Sequence, residues 1–121
     1  SDGFKGHPRN AGCFSRILGK YVRENKDLSL MLALKKCAYW PAKRLEECAP
    51  VFKNKGRIKV GADADLIVFD AKTIIDKSTF TNAAQYSSGI KYTLVNGVAI
   101  VKDGKFQKNI FPGKAARGQI R

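Results

Sequence analysis

Three side chains near the start of the chain have types that do chemistry: the carboxylate of Asp2, the imidazole of His7 and the guanidinium of Arg9. A carboxylate can carry a proton between water and a leaving group. A guanidinium can grip a substrate carboxylate through two parallel hydrogen bonds. Their spacing matches no nucleophile elbow, phosphate loop or dinucleotide fingerprint. His7 is the single histidine, which excludes a site built from several histidines within this chain. Asp63 and Asp65 have the types of a metal pair, but the small residues around them make turn formation the simpler account. Read without further context, Asp2, His7 and Arg9 are solvated loop residues.

The elements that must position these groups follow in order. Residues 1–10 hold Gly3, Gly6 and Pro8 and read as a loop. Phe14, Ile17, Leu18, Tyr21 and Val22 recur at helical spacing, so a helix is expected from Phe14 until Asn25-Lys26-Asp27. Ser29 suits the N-cap of a second helix from Leu30 to near Ala38. Leu32 stands where the Glu of a capping box would be. This second helix is apolar nearly all round and calls for cover on more than one side. Pro41 is expected to push Trp40 out of helical geometry and to open a short third helix through Glu47, closed by Pro50.

The second half is β-like. In KGRIKVGADADLIVFD, residues 55–70, Ile58 and Val60 alternate with Arg57 and Lys59 as in a short strand. Gly61, Asp63 and Asp65 mark a turn. Leu66 to Phe69 is a run of β-formers expected to be covered on both faces, ending at Asp70. Residues 71–89 read as mostly irregular, with a short helical turn at Asp76–Phe80. Asn96-Gly97 joins the strands Lys91–Val95 and Val98–Lys102 in the strongest short hairpin signal. Asp103-Gly104 is a second turn leading to Lys105–Gln107, and the tail from Phe111 to Arg121 is expected to lie over a surface. The fold class is therefore α+β, helices first and a few short strands after. Such a thin sheet cannot close a sandwich alone. A partner is expected, either more of the same polypeptide or a second copy.

Composition bounds the rest. At 121 residues the chain is one ordinary domain or a piece of a larger one. No apolar run approaches the roughly 18 residues that cross a membrane, and SDGFKGHPRN contains no secretory apolar region. Cys13, Cys37 and Cys48 are odd in number, lack metal-type spacing and are expected to be buried free thiols in a reducing, cytoplasmic setting. The net charge of +13 suggests a polyanion partner. Its distribution argues against one. Residues 1–60 carry 14 basic and 5 acidic side chains, and residues 61–121 carry 9 and 5. Only Lys53, Lys55, Arg57 and Lys59 form a dense cluster, and no aromatic platform is interleaved with it, so nucleic-acid binding is not the favoured role.

The segments SDG, HPR, FSRILGKYVRE, LSLMLALKKCAYWPAKRLE, KGRIKVGADADLIVFD, QYSSGIKYTLVNG and PGKAARG resemble, in order, the C-terminal part of D-aminoacylases (N-acyl-D-amino-acid deacylases) of the metal-dependent amidohydrolase superfamily. The likeness runs over nearly the whole chain. The GRIKVGADADLIVFD and LVNG elements are shared with dihydroorotase- and hydantoinase-like enzymes. The combination of SDG, HPR and FSRILGKYVRE points more narrowly to D-aminoacylases.

This resemblance implies a TIM-type (β/α)₈ barrel with metal at the C-terminal mouth of its strands, plus a small β-sandwich. Residues 1–50 would be the end of the barrel and residues 51–121 part of the sandwich. Asp2 would end the last barrel strand, contact the metal and act as general base and acid. Arg9 would bind the substrate carboxylate, and His7 would shape the loop rather than bind metal. The implied cofactor is zinc, whose bound water ionises near pH 7, and the implied substrate is an N-acyl-D-amino acid. The implied metal-binding histidines and first sandwich segment are not in this sequence. The chain alone is therefore expected to be an inactive fragment that can self-associate. Two alternatives stand beside this reading: a stand-alone basic module binding nucleic acid or protein, and an amidohydrolase acting on cyclic amides.

Overall fold

The computed structural model describes residues 6–118. Asp2 lies outside the described residues.

Helix α1 (Arg9–Arg16) passes without a break into a π-helical segment, Ile17–Glu24. It begins before the expected Phe14, because Pro8 already has helical angles (φ −60°, ψ −23°) and its carbonyl accepts the Gly12 N–H at 3.1 Å. The fixed φ of proline suits a first turn, and its missing N–H is no loss there. The wide turn persists to the end, where Asn25 N–H donates to Lys20 O at 2.9 Å. Lys26 then turns the chain with φ 60°.

Helix α2 (Leu30–Leu34) starts as its sequence dictates, with Ser29 Oγ accepting the Leu32 N–H at 3.3 Å. It continues through a π-helical segment, Lys35–Tyr39, into α3 (Trp40–Leu45). Trp40 keeps helical angles (φ −67°, ψ −41°), contrary to the expected break. The π turn just before Pro41 opens the carbonyl ladder where the proline ring would otherwise clash. After α3 the chain does not close at Pro50. A 3₁₀ turn, Pro50–Asn54, follows an extended Ala49, the conformation favoured before proline.

The sheet is an antiparallel meander ordered β1-β2-β3-β4: Leu66–Phe69, Ile90–Val95, Val98–Lys102 and Lys105–Phe106. Leu66 opposes Leu94, and Leu94 opposes Ala99. The Asn96-Gly97 and Asp103-Gly104 turns have all four φ values positive (48°, 79°, 50° and 74°), which matches hairpin turns to strand twist.

Two strand expectations fail. Residues 57–60 form no strand, and Ile58 and Val60 are 90% and 103% exposed. An alternating segment becomes a strand only where another strand accepts its hydrogen bonds, and none of the described residues does so. Likewise Ile67 and Val68 are half exposed rather than covered on both faces. The turn expected at Asp76–Phe80 lies instead at residues 71–73. Asp70 nucleates it: Oδ1 accepts the Lys72 N–H at 2.8 Å, and Oδ2 accepts the Thr73 hydroxyl at 3.0 Å.

The buried apolar set among the described residues is thin: Ala33, Ala42, Ala49 and Ile74. No large side chain among them is fully buried. The thiols are free as expected, but Cys48 is exposed and Cys13 and Cys37 are half buried.

Candidate functional site

The HPR triplet sits at the head of α1. His7 Nδ1 accepts the Arg9 backbone N–H at 3.1 Å. That bond uses one ring nitrogen for capping the first turn, as expected of a residue that shapes the loop. The ring of Phe80 meets His7 edge-on, with centroids 5.3 Å apart. Arg9 is the first residue of α1 and its side chain stands on the exposed side. The structure thus brings His7 and Arg9 together, and adds Phe80. The third candidate, Asp2, lies outside the described residues.

The helix below this head is held by a strap, Ile74 to Asp76. Gly12, Ser15 and Gly19 recur on one helical face and are all buried. A Cβ at Gly12 would stand 2.6 Å from Asp76 Cβ, and one at Gly19 would stand 2.5 Å from Ile74 O. Only glycine permits so close an approach. Arg16 Nη1 lies 3.4 Å from Asp76 Oδ2, whose side chain is 6% exposed. Arg23 Nη1 donates to Ile74 O at 2.5 Å. Asp76 and Phe80 bound the stretch where sequence reading expects a short helical turn, with no contact to the first helix foreseen. The available signal was the pair Gly12 and Gly19, seven apart on a helix face.

The acidic pair is structural. Lys55 Nζ lies 2.8 Å from Asp63 and 2.6 Å from Asp65. The Lys55 bond, helped by the Asn96 N–H, holds the Asp65 carboxyl below the usual carboxylate range. Arg57 pairs with Glu46, donates to Lys55 O at 3.0 Å and lies over the Tyr39 ring at 5.2 Å. Two of the four cations of the basic cluster, Lys55 and Arg57, are thus engaged by local partners. Burial pushes the Cys37 thiol up, with Cys13 adding to the effect, which disfavours a reactive thiolate.

Among the described residues no group of His, Cys, Asp or Glu could hold a metal ion. Among them, too, no helix is long and apolar enough to cross a membrane. The residues on view thus do not fit a metal by themselves.

Comparison with known proteins gives the context. The sequence pattern of the Amidohydrolase family matches residues 1–101. The chain is 44% identical over 96 residues to an N-acyl-D-glutamate deacylase of Alcaligenes xylosoxydans xylosoxydans, covering 78% of this chain and 18% of that protein. It is 34% identical over 110 residues to a D-aminoacylase of the same organism, covering 91% of this chain and 21% of that protein. The crystal structure of N-acyl-D-glutamate deacylase from Bordetella bronchiseptica, complexed with zinc and a phosphonate mimic of the tetrahedral intermediate, superposes with a TM-score of 0.78 at 34% identity. That match covers 93% of this chain and 22% of the deacylase. The chain spans about a fifth of the length of these relatives.

Proposed function

The chain belongs to the amidohydrolase family, and from that premise we propose that it serves within a longer, zinc-dependent hydrolase that deacylates N-acyl-D-amino acids. The observation that carries this reading is the fit of 93% of the chain, at a TM-score of 0.78, to a zinc-bound N-acyl-D-glutamate deacylase. Residues 1–50 would end a β/α barrel and residues 51–121 would complete part of a small β-sandwich. The thin core and the bare residues Ile58 and Val60 support a role within something larger.

The metal would be held by ligands outside the described residues, with Asp2 beside it; its contribution is to make water a nucleophile near neutral pH. Asp2 accepts the proton of the attacking water and returns it to the leaving amine as the amide C–N bond breaks. The products are a carboxylic acid and a free D-amino acid. Arg9, at the head of α1, binds the carboxylate of the substrate in two-pronged fashion.

The test is release of free amine from N-acyl-D-amino acids by the longer polypeptide, with and without a chelator. Chelator-sensitive turnover of the D but not the L form is expected. Turnover that is indifferent to metal removal, or absent for all N-acyl amino acids, would end this reading.

A further inference from the structure

The head of α1 carries His7 and Arg9. His7 touches Phe80, and Arg9 is tied to His7 through its backbone. Gly12, further down the helix, is a fixed point of close packing. Its N–H donates to Pro8 O at 3.1 Å, so Gly12 is bonded to the middle residue of the HPR triplet. On its other side Gly12 rests on Asp76, where even a methyl group would fall 2.6 Å from Asp76 Cβ. The Asp76 side chain is buried to 6% exposure and lies beside Arg16, one turn further along the same helix. The same strap continues to Phe80 and so reaches the site twice: at Gly12 from below and at His7 from the side.

We infer that Asp76 is a positioning residue for the site at the head of α1, acting through its close contact with Gly12. This rests on the proposal that Arg9 and Asp2 serve the deacylation. A helix is stiff over one turn of about 5.4 Å, so a displacement at Gly12 is carried to Pro8 and Arg9. Asp76 touches neither substrate nor metal in this account. It fixes the height of the helix head over the strap, and thereby where the Arg9 guanidinium meets a carboxylate.

The test exchanges the one Cβ at the contact. Asp76→Gly, Gly12→Ala and the double variant are compared in the longer polypeptide, with Ser29→Ala as a control that weakens a remote helix cap. Each single variant is expected to raise KM, by up to about 10²-fold where the displacement reaches about 1 Å, with a smaller fall in kcat. The double variant, which returns one Cβ to the contact, recovers most of the KM lost in the single variants. Ser29→Ala lowers Tm and leaves KM alone. If Gly12→Ala does not fold, Asp76→Gly and the double still decide. Hydrogen exchange over residues 7–13 is read alongside and needs no turnover. It speeds up in the single variants and returns in the double. Unchanged KM with unchanged exchange in Asp76→Gly, or no recovery in the double, overturns the inference. An inactive wild type with the same exchange pattern would instead sink the deacylase reading and leave the positioning contact standing.

Discussion

Asp65 and Asn96, 31 residues apart, are joined by a 2.9 Å hydrogen bond from the Asn96 backbone N–H to Asp65 Oδ1. The other oxygen of the same carboxylate takes Lys55 Nζ at 2.6 Å. One side chain thus pins the turn before β1 to the hairpin turn after β2. Lys55 lowers the Asp65 pKa first and the Asn96 N–H second. A carboxylate with a depressed folded pKa adds stability above its unfolded value of about 3.9, and loses it as pH falls through the folded value. Lys55 is raised by the same contacts, so its share is present below about pH 10.4 and is lost in alkali. Asp65→Asn is therefore expected to cost about 1 kcal/mol at pH 7, allowing for partial exposure. The difference should vanish in acid, where the wild-type carboxylate is also neutral. Urea midpoints at pH 7 and at a series of lower pH values running below the unfolded value of about 3.9 check this; a deficit that does not shrink as pH falls through the depressed folded value would assign the effect to shape rather than charge.

Asn96 has a second job. Its φ is 48°, and its side-chain Nδ2 donates to Pro112 O at 2.6 Å, tying the tail to the hairpin. Asn96→Gly keeps the turn geometry and removes only that tie. It should leave Tm nearly unchanged while trypsin cuts faster after Lys114. Asn96→Ala keeps a β-carbon in the left-handed region without the polar side chain that eases it there, and should cost about 1–2 kcal/mol more than Asn96→Gly. Equal Tm for the two variants would count against the turn argument, and unchanged cleavage in Asn96→Gly against the tail argument.

Local rules were legible, and context was not. Ser29 announces its helix because a hydroxyl three residues from an unpaired N–H has one obvious use. Asn96-Gly97 announces its turn because few residues accept positive φ. Trp40 misleads, since the cost before Pro41 can be relieved by a π turn that sequence does not display. Ile58 and Val60 mislead more deeply: their alternation is real, but strand formation needs a neighbour that the described residues lack. At the site, His7 and Arg9 were found by type, whereas Asp76 was passed over because nothing adjacent to it in sequence reveals the helix it supports.

The division of labour proposed for Asp2 and Arg9 predicts two different kinetic defects. Asp2→Asn keeps the shape but cannot carry a proton. In the longer polypeptide it should lower kcat by about 10²–10⁴ with little change in KM. Arg9→Lys keeps the charge but loses the planar fork, so KM should rise while kcat holds. Steady-state kinetics on an N-acyl-D-amino acid separate the two. An Arg9→Lys enzyme with normal KM would remove Arg9 from substrate binding.

Ile58 and Val60 are among the most exposed large apolar side chains of the described residues, at 90% and 103%. Burying each side chain is worth about 1.5–3 kcal/mol. The 121-residue chain by itself should therefore self-associate, and Ile58→Lys with Val60→Lys should return it to a monomer in light scattering. In the longer polypeptide the same pair of substitutions should have the opposite kind of effect. There the segment is expected to be covered, so two buried lysines would lower Tm by several degrees without changing the mass. A chain that is monomeric at high concentration with both residues intact would show that the strip needs no cover. A longer polypeptide indifferent to the two lysines would show that no segment covers it. Either result would remove the argument that residues 57–60 are a strand waiting for its neighbour.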